Sequence, residues 1–427
     1  MSSIDLVIPP SEHSSPVASP WELVDLRSLL TQRMDRVDVV PGKIYTRLGV
    51  HWYGAGPFKK DAADGKEIKG HFLNVVRHQD FIYNRLFAWK GAFGIVSEEM
   101  AGCYVSGEFP VFSIDTTRLV PDFLRMWLTL PFMWRVVGNK SSGSTATSRR
   151  RLKEEDLLSL SIPLPSVAEQ NGIVRAVSAV EADKVESEKL VQTVRRLRLS
   201  LVTYLFNFGP TRLSETPIVE TLNTDVGLMP SHWKIARMSD LVEVKQGQID
   251  PTVDPYRNMP NVGAENIESG TGRLLRVRPA KDVGVVSGKY LFTNEDVLYS
   301  KIRPYLKKAA LPDQTGICSS DIYPLRPIHG KLVREFLYHI LLTDQFTSQA
   351  VSFQGGFLPR INRTQLGLIN IPVPPIEEQE RIARILSSID SLILVEERSK
   401  MAVSDLLTSI LHELFLGRIR VPTEDLV

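Results

Sequence analysis

Apolar residues recur at helical spacing over two long stretches of the chain. One pattern runs from Ile173 to Leu205 and the other from Ile382 to Leu414, and both alternate steps of four and three residues. A period of 3.5 residues is typical of helices that pack against each other as a coiled coil. The sequence therefore predicts two long helices that share one kind of packing seam, and both seams turn polar near the middle.

Prolines set the start of each predicted helix. Proline cannot occupy a helix interior, so the first helix begins after Pro165 and the second after Pro375. Ser166 is a suitable N-cap with Glu169 as its capping-box partner, and acidic residues fill the first turn of the second helix. At ~1.5 Å per residue, each helix would be roughly 60 Å long, which is longer than a globular domain requires.

The segment before each helix is repeated. Ile162-Pro-Leu-Pro-Ser-Val-Ala-Glu-Gln170 returns 209 residues later as Ile371-Pro-Val-Pro-Pro-Ile-Glu-Glu-Gln379. A fainter echo lies upstream, where Asp80-Phe-Ile-Tyr-Asn-Arg-Leu86 resembles Asp296-Val-Leu-Tyr-Ser-Lys-Ile302. Self-similarity of this kind indicates duplicated structural units. The chain is predicted to consist of two halves, each a globular unit followed by a long helix.

The predicted fold is mixed α/β, with two globular domains in a pseudo-two-fold repeat joined by two long helices that form an antiparallel coiled coil. Short strands are expected at 81–83 and 297–299, and helices at 123–134 and 332–343. The antiparallel direction is favoured because it would separate the globular domains. The alternatives are that each helix packs on its own domain or pairs with another chain. The predicted segments are a disordered N-terminus (1–20), the first globular domain (21–160), the first long helix (161–208), a linker (209–230), the second globular domain (231–370), the second long helix (371–417) and a C-terminal tail (418–427).

Composition excludes several classes of protein. The 427 residues include 51 basic and 49 acidic side chains, a net charge of +2, and 43% of the chain is hydrophobic. That hydrophobic content can fill real cores, so wholesale disorder is excluded. Two cysteines cannot form a disulfide framework or a thiolate metal site. No apolar run reaches the ~20 residues of a membrane helix, and the start lacks signal-peptide order, so a soluble cytoplasmic protein is expected.

The positive charge is concentrated in the globular halves. Residues 21–150 carry 18 basic and 13 acidic groups and residues 231–360 carry 17 and 13, whereas residues 375–417 carry 4 and 8. Cations interleaved with aromatic residues suit contacts with phosphates and base edges, although a solvated surface is the plainer interpretation of any one cluster. The candidate DNA-binding residues are Arg85, Lys90, Arg149, Arg150, Lys301, Arg303, Tyr305, Lys307, Lys308 and Arg360.

Signatures of catalysis are missing from the sequence. The run 284–290 resembles a phosphate-binding loop but is one residue short and has Tyr290 where Ser or Thr would hold the metal. The Gly-rich run 353–357 lacks the spacing of a cofactor-binding loop, and the eight histidines form no metal-ligand pattern. We therefore predict no catalytic residues and no metal site, and interpret the chain as a binding protein.

Two basic globular units, each followed by an Ile-Pro-Leu/Val-Pro…Glu-Gln segment that opens a long helix, resemble the DNA specificity (S) subunit of Type I restriction-modification systems. The resemblance covers about Trp21 to Arg420. It implies two target recognition domains that each read one half of a bipartite DNA sequence, and helices that set the spacer and dock two methyltransferase subunits. It also implies S-adenosylmethionine in those partners, ATP and Mg in separate restriction subunits, and no cofactor in this chain.

The resemblance does not identify which residues contact DNA, so the candidates above rest on charge and placement alone. Two other functions remain open at this stage. One is a noncatalytic coiled-coil scaffold whose globular units bind proteins. The other is a self-sufficient restriction enzyme, which the missing motifs disfavour. Sequence-selective, salt-dependent DNA binding would distinguish the first alternative from a specificity subunit.

Overall fold

The computed structural model describes residues 21–142, 150–353, 359–415 and 418–421. The chain forms two compact units. The first comprises Met1–Glu186 and Lys400–Val427, and the second comprises Ser187–Ser399. The predicted disordered segment 1–20 lies outside the described residues, as does most of the predicted C-terminal tail.

The first unit is built from short antiparallel strands and a few helices. Strands β2, β12, β9 and β10 form one sheet, and β3, β8 and β11 form another. Its strands are β1 (Glu22–Asp25), β2 (Leu30–Arg33), β3 (Arg36–Asp38), β4 (Ile44–Tyr45), β5 (Leu48–Val50), β6 (Pro57–Lys59), β7 (Ala63–Asp64), β8 (Phe72–Val75), β9 (Phe81–Tyr83), β10 (Phe93–Ile95), β11 (Tyr104–Val105), β12 (Val111–Ile114) and β13 (Ser161–Leu164). Its helices are α1 (Pro121–Thr129), α2 (Pro131–Lys140), α3 (Glu154–Leu158) and the start of α4 (Val167–Phe208).

The second unit repeats this plan. Strands β17, β25, β22 and β23 form one sheet, and β18, β21, β24, β19 and β20 form the other. Its strands are β14 (Thr221–Thr224), β15 (Gly227–Pro230), β16 (Lys234–Arg237), β17 (Val242–Val244), β18 (Gln248–Ile249), β19 (Pro260–Val262), β20 (Arg278–Pro279), β21 (Lys289–Phe292), β22 (Val297–Ser300), β23 (Ala309–Ala310), β24 (Gly316–Cys318), β25 (Ile322–Pro327) and β26 (Asn370–Val373). Its helices are α5 (Met238–Leu241), α6 (Ala280–Val283), α7 (Arg334–Leu341), α8 (Asp344–Ser352), α9 (Arg363–Leu368) and the start of α10 (Ile376–Phe415).

The upstream sequence echo has a structural cause in both units. Asp80 and Asp296 are buried, and each caps the turn before its strand by accepting a backbone N–H at 2.7 Å. A cation from the second strand along the sheet pairs with each carboxylate: Arg33 of β2 with Asp80, and Lys245, just after β17, with Asp296, both at 2.7 Å. A buried carboxylate requires such a partner. The repeated aspartate therefore fixes the same strand-turn arrangement twice.

The long helices run antiparallel, as predicted. In the first unit Phe415, at the end of α10, packs against Phe123 with ring centroids 5.1 Å apart. In the second unit Phe206, near the end of α4, packs in the same way against Phe336 at 5.6 Å. Each unit thus combines the start of one long helix with the end of the other. This accounts for the aromatic and aliphatic residues that close both repeated stretches.

The seam predicted from the 4-3 spacing is largely buried. On α4 the buried seam residues include Ile173, Val177, Val191, Val194 and Leu205, and on α10 they include Ile382, Leu386, Ile393, Leu407 and Leu414. Ion pairs interrupt the apolar seam within the second unit, where Arg198 of α4 bonds Asp390 of α10 and Arg195 bonds Glu397. These ion pairs join the two helices beside the apolar seam of the second unit.

Adjacent Glu and Gln residues attach the start of α4 to the globular part of the first unit through hydrogen bonds. Glu169 accepts a hydrogen bond from the indole of Trp21 at 3.2 Å. The fully buried Gln170 accepts from Val120 N at 2.7 Å, and its amide donates to the carbonyls of Arg118 and Pro165 at 2.8 and 2.9 Å. Because the two side chains bind different parts of the domain, the first turn of the helix is held on two sides.

The second unit contains the same joint. Trp233 donates to Glu378 at 2.9 Å. Gln379 is also fully buried; it accepts from Val333 N at 2.8 Å and donates to the carbonyls of Lys331 and Pro374 at 3.1 and 2.9 Å. The repeated Glu-Gln sequence is thus explained by its hydrogen bonds. Ser166 caps α4 as predicted, because its hydroxyl accepts a hydrogen bond from Glu169 N at 3.3 Å. The Glu169 carboxylate does not complete the predicted capping box; it accepts hydrogen bonds from Trp21 and Arg420.

Two predicted elements differ in detail. The helix expected at 123–134 is broken, because α1 ends at Thr129 and α2 begins at Pro131. Proline has no N–H and disfavours helical backbone in the preceding residue, and Leu130 is accordingly extended. Within segment 209–230, β14 and β15 form a hairpin whose Val226 and Met229 join the core of the second unit.

No helix among the described residues combines the length and apolar character needed to cross a membrane.

Candidate nucleic-acid interface

The candidate cations gather around one hairpin in each unit. We call residues 84–92, between β9 and β10, the first hairpin, and residues 301–308, between β22 and β23, the second hairpin. Each follows a fully buried tyrosine, Tyr83 or Tyr299. A glycine in a separate loop is hydrogen-bonded to the backbone near the end of each hairpin. Gly54 N donates to Gly91 O at 3.0 Å, and Gly270 N donates to Lys307 O at 3.1 Å. The two hairpins are therefore equivalent positions of the repeated fold.

Arg85 on the first hairpin is held by the protein itself. Its guanidinium forms an ion pair with Glu154 and donates to the carbonyl of Gly107. Burial works to raise the pKa of the Glu154 carboxyl, but the Arg85 guanidinium outweighs it and holds that pKa below its usual range. Arg85 is therefore committed to a structural pair.

Lys90 belongs to an aromatic cluster at the tip of the first hairpin. Its ammonium lies 3.8 Å from the ring centroid of Trp52 and 5.0 Å from that of Trp89, within the range of cation–π attraction. Trp52 is 41% exposed and Tyr53 is 64% exposed, with Tyr53 in the left-handed conformation at φ 58°. The sequence patterns did not single out these two aromatic residues, because they lie in a loop without periodicity.

The basic run at 149–151 is only partly described. Arg149 lies outside the described residues. Arg150 is half-buried beside Gly138 of α2. Arg151, which was not among the candidates, pairs with Glu108 at 2.8 Å.

The second hairpin presents more unpaired charge. Lys301 has no ion pair among the described residues, and its ammonium lies 5.3 Å from the ring centroid of Tyr323. Arg303 is exposed, likewise without an ion pair in the described part of the chain, and adopts the left-handed conformation at φ 47°. Tyr305 is 51% exposed in the short turn between them and the end of the hairpin. These side chains are free to contact a ligand.

The other candidates in the second unit have partners in the protein. Lys307 forms an ion pair with Asp344 at 2.6 Å, and Lys308 donates to the carbonyl of Ala264 at 2.6 Å. Arg360 lies 3.8 Å from Asp321, which is a loose contact between half-exposed groups. Lys308 is thus a structural donor, whereas Arg360 retains donors for a ligand.

Arg363, the first residue of α9, was missed by the sequence patterns. Its guanidinium lies 5.4 Å from the ring centroid of Tyr290 and 5.5 Å from that of Tyr323, and it donates to Lys245 O at 2.9 Å. Burial raises the pKa of Tyr323, while Arg363 and Arg360 act in the opposite direction. Lys301 and Arg363 therefore lie over the same tyrosine ring. Aligning α9 with α3 through the 209-residue repeat would have drawn attention to this position.

No group of three or more His, Cys, Asp or Glu side chains among the described residues is arranged to hold a metal ion. The chemistry that the two hairpins offer is hydrogen-bond donation and positive charge.

This architecture defines a class of protein in which a mixed α/β unit occurs twice. Each copy is attached by hydrogen bonds to the start of one of two antiparallel helices. Solved structures share it. The HsdS subunit from Thermoanaerobacter tengcongensis is 20% identical, with a TM-score of 0.50 over 94% of this chain and 98% of that one. The Type I restriction-modification S subunit from M. genitalium is 13% identical, with a TM-score of 0.58 over 95% and 98%. At such identities the likeness establishes the fold.

Sequence comparisons point in the same direction. Residues 230–404 match the Type I restriction modification DNA specificity domain. The Type I restriction enzyme EcoDI specificity subunit of Escherichia coli is 28% identical over 78% of this chain and 77% of its own. The MjaVIII specificity subunit of Methanocaldococcus jannaschii is 23% identical over 87% of each chain. Residues 230–404 thus match this DNA specificity domain, and both specificity subunits are similar to most of the chain, in agreement with the resemblance that its sequence pattern suggested.

Proposed function

We propose that this protein is the noncatalytic DNA specificity subunit of a Type I restriction-modification complex, in which each globular unit reads one half of a bipartite target. The observation that carries the proposal is the duplicated joint. The same Trp-Glu and Gln-backbone hydrogen bonds attach a basic globular unit to a long helix twice in one chain. Two similar units attached identically but carrying different surface side chains suit recognition of two different half-sites.

The partners in this proposal are double-stranded DNA, two methyltransferase subunits and, in a complete system, restriction subunits. S-adenosylmethionine would be bound by the methyltransferase subunits, and ATP and Mg by the restriction subunits. The complex would act in the cytoplasm, where the DNA of a prokaryotic cell lies. The long helices would set the spacer between half-sites and bind the methyltransferase subunits.

One flank of the helix pair supports the docking role. Within the second unit, residues that follow seam positions form ion pairs between helices, whereas several residues that precede seam positions are apolar and exposed. Leu197 precedes Arg198 and is 48% exposed, and Leu392 precedes Ile393 and is 41% exposed. We define the apolar flank as Leu190, Leu197, Ile385 and Leu392. Exposed apolar side chains on one face are typical of a protein interface.

Genome-wide mapping of methylated adenine tests the function. Strains with and without this gene should differ by the loss of one bipartite motif. If a strain that expresses the protein and its methyltransferase partner has the same methylation pattern as the strain without this gene, the proposal is wrong.

The docking role has a separate test. Leu197→Ser combined with Leu392→Ser should weaken assembly with the methyltransferase subunits, measured by size-exclusion chromatography with light scattering. Leu199→Ser is the matched control, because Leu199 is 65% exposed on α4 but is not adjacent to the seam on that flank. Equal assembly by the double variant and the control would remove the flank from the interface.

A further inference from the structure

The two hairpins carry cations at one matching position. Arg85 and Lys301 each lie two residues after the buried tyrosine of their unit. The carbonyl of Arg85 accepts from Leu152 N at 3.0 Å, and that of Lys301 accepts from Ile361 N at 2.9 Å. The backbone hydrogen bonds thus establish that Lys301 is the counterpart of Arg85.

The neighbouring position carries opposite charges in the two units. Glu154 is the first residue of α3 and Arg363 is the first residue of α9, and they are 209 residues apart, the spacing of the sequence repeat. In the first unit the carboxylate of Glu154 neutralises Arg85. In the second unit Arg363 occupies the matching position, and Lys301 has no ion pair within the described part of the chain.

A second pair is conserved between the units but is looser in the second. Arg151 and Arg360 match by the same spacing, and Glu108 and Asp321 match because their carbonyls accept the backbone N–H of Arg85 and Lys301, at 3.1 and 2.9 Å. The Arg151–Glu108 contact is 2.8 Å, and the Arg360–Asp321 contact is 3.8 Å. An arginine at 3.8 Å from its carboxylate can turn toward another anion.

The consequence is a difference in local charge. Beside Arg85, two arginines pair with two carboxylates, and these four charges cancel. Beside Lys301, only Arg360 contacts a carboxylate, that of Asp321 at 3.8 Å, while Lys301 and Arg363 lie over the Tyr323 ring without an ion pair among the described residues. Like charges held together repel, and an added anion relieves that repulsion.

We propose that Lys301, Arg360 and Arg363 form a binding site for a phosphate of the DNA backbone, and that the matching surface of the first unit is closed by its own ion pairs. The proposal rests on the proposed function, because it takes the anion to be DNA. Lys301 and Arg363 are half-buried against tyrosine rings. Side chains held down in this way are poorly placed to reach base edges in a groove ~8.5 Å deep, whereas a phosphate on the outside of the duplex can approach them.

The central variant is Arg363→Glu, which gives the second unit the arrangement that the first unit already has. A carboxylate at this position can pair with Lys301, as Glu154 pairs with Arg85. Arg237→Glu is the matched control, because it makes the same change in net charge at an exposed position on β16, outside the cluster. Arg363→Lys retains the positive charge and should largely preserve binding. Arg363→Gln replaces Arg363→Glu if circular dichroism shows that the latter is unfolded.

DNA binding is measured by fluorescence anisotropy of the complex assembled with methyltransferase subunits, on a duplex containing the target and on one with the target scrambled, between 50 and 250 mM KCl. We expect Arg363→Glu to weaken binding to both duplexes by about ten- to hundredfold relative to Arg237→Glu, as for loss of a charge-assisted hydrogen bond. The slope of log affinity against log salt should fall by about one, because one phosphate contact is lost.

Three results would overturn the inference. They are an affinity and salt slope equal to those of Arg237→Glu, a loss confined to the target duplex, and a failure to assemble with the methyltransferase subunits. The second result would make Arg363 a base-reading residue, and the third would make the cluster a protein contact. If the wild-type complex shows no preference for the target duplex, the proposed function itself fails.

Discussion

Replacing Gln379 with methionine tests whether the joint at the start of α10 is a principal source of stability in the second unit. Methionine has a similar volume but no hydrogen-bonding amide. The change leaves three backbone groups without their partner, the N–H of Val333 and the carbonyls of Lys331 and Pro374. An unsatisfied buried group costs about 1–3 kcal/mol, and local relaxation recovers part of the sum. We expect a loss of about 3 kcal/mol.

The loss of stability is measured at the joint itself, at the start of α10. Hydrogen exchange followed by mass spectrometry reports the opening free energy of peptides that contain Val333, and about 3 kcal/mol corresponds to exchange roughly 100-fold faster. Urea unfolding followed by circular dichroism should show a matching decrease in midpoint for the second unit. Gln246→Met is the control, because Gln246 is exposed. A change below about 1 kcal/mol for Gln379→Met would refute the reasoning that the buried amide holds the joint.

Three further predictions concern charged residues. Arg85→Gln should destabilise the first unit by about 1–2 kcal/mol, because it leaves Glu154 partly buried and unpaired, and thermal unfolding measures the loss. Asp296→Asn should cost about 3 kcal/mol in urea unfolding at pH 7, because it strips the buried partner from two cations. Burial opposes the ionised form of Asp296, yet Arg326 and its other partners hold its pKa below the usual 3.8, so its contribution is full above pH 3.8 and is lost as the pH falls further. Lys301→Ala with Arg303→Ala should weaken DNA binding by the assembled complex about tenfold and leave assembly intact.

These predictions have distinct contrary outcomes. Equal melting temperatures for wild type and Arg85→Gln would show that the ion pair is not stabilising. If the difference between wild type and Asp296→Asn persists unchanged below pH 3, the ionised carboxylate is not its cause. Unaltered DNA binding after the double alanine substitution would remove Lys301 and Arg303 from the candidate interface.

The helical part of the fold was predictable because it is encoded locally. The 4-3 spacing, the prolines before each helix and the absence of proline within them are periodic or positional signals in the sequence. The repeat added the number of units, since a segment that recurs with its context indicates a second copy of the same structure. The helix break at Pro131 shows that a local rule can still be overlooked when apolar residues continue past it.

The candidate site was less predictable, because charge along the chain does not indicate which carboxylate lies opposite. Arg85 and Lys301 occupy similar sequence contexts. Arg85 forms an ion pair with Glu154, whereas Lys301 and Arg363 both lie over the ring of Tyr323. The paired residues Arg85 and Glu154 are more than sixty positions apart in the sequence, and Tyr323 is more than twenty positions from either cation. Only the sheet register and the placement of α3 and α9 bring them together.

The sequence by itself determined the two long helices and the duplication, because these depend on period, spacing and repetition. It also marked Glu169-Gln170 and Glu378-Gln379 as repeated without giving the reason. The tertiary structure decided what those residues do and which cations remain available to a ligand, because hydrogen bonding and charge neutralisation depend on side chains from distant segments meeting in space. The near-neutral total charge thus conceals two units of the same fold that differ in which cations beside their matching hairpins are paired.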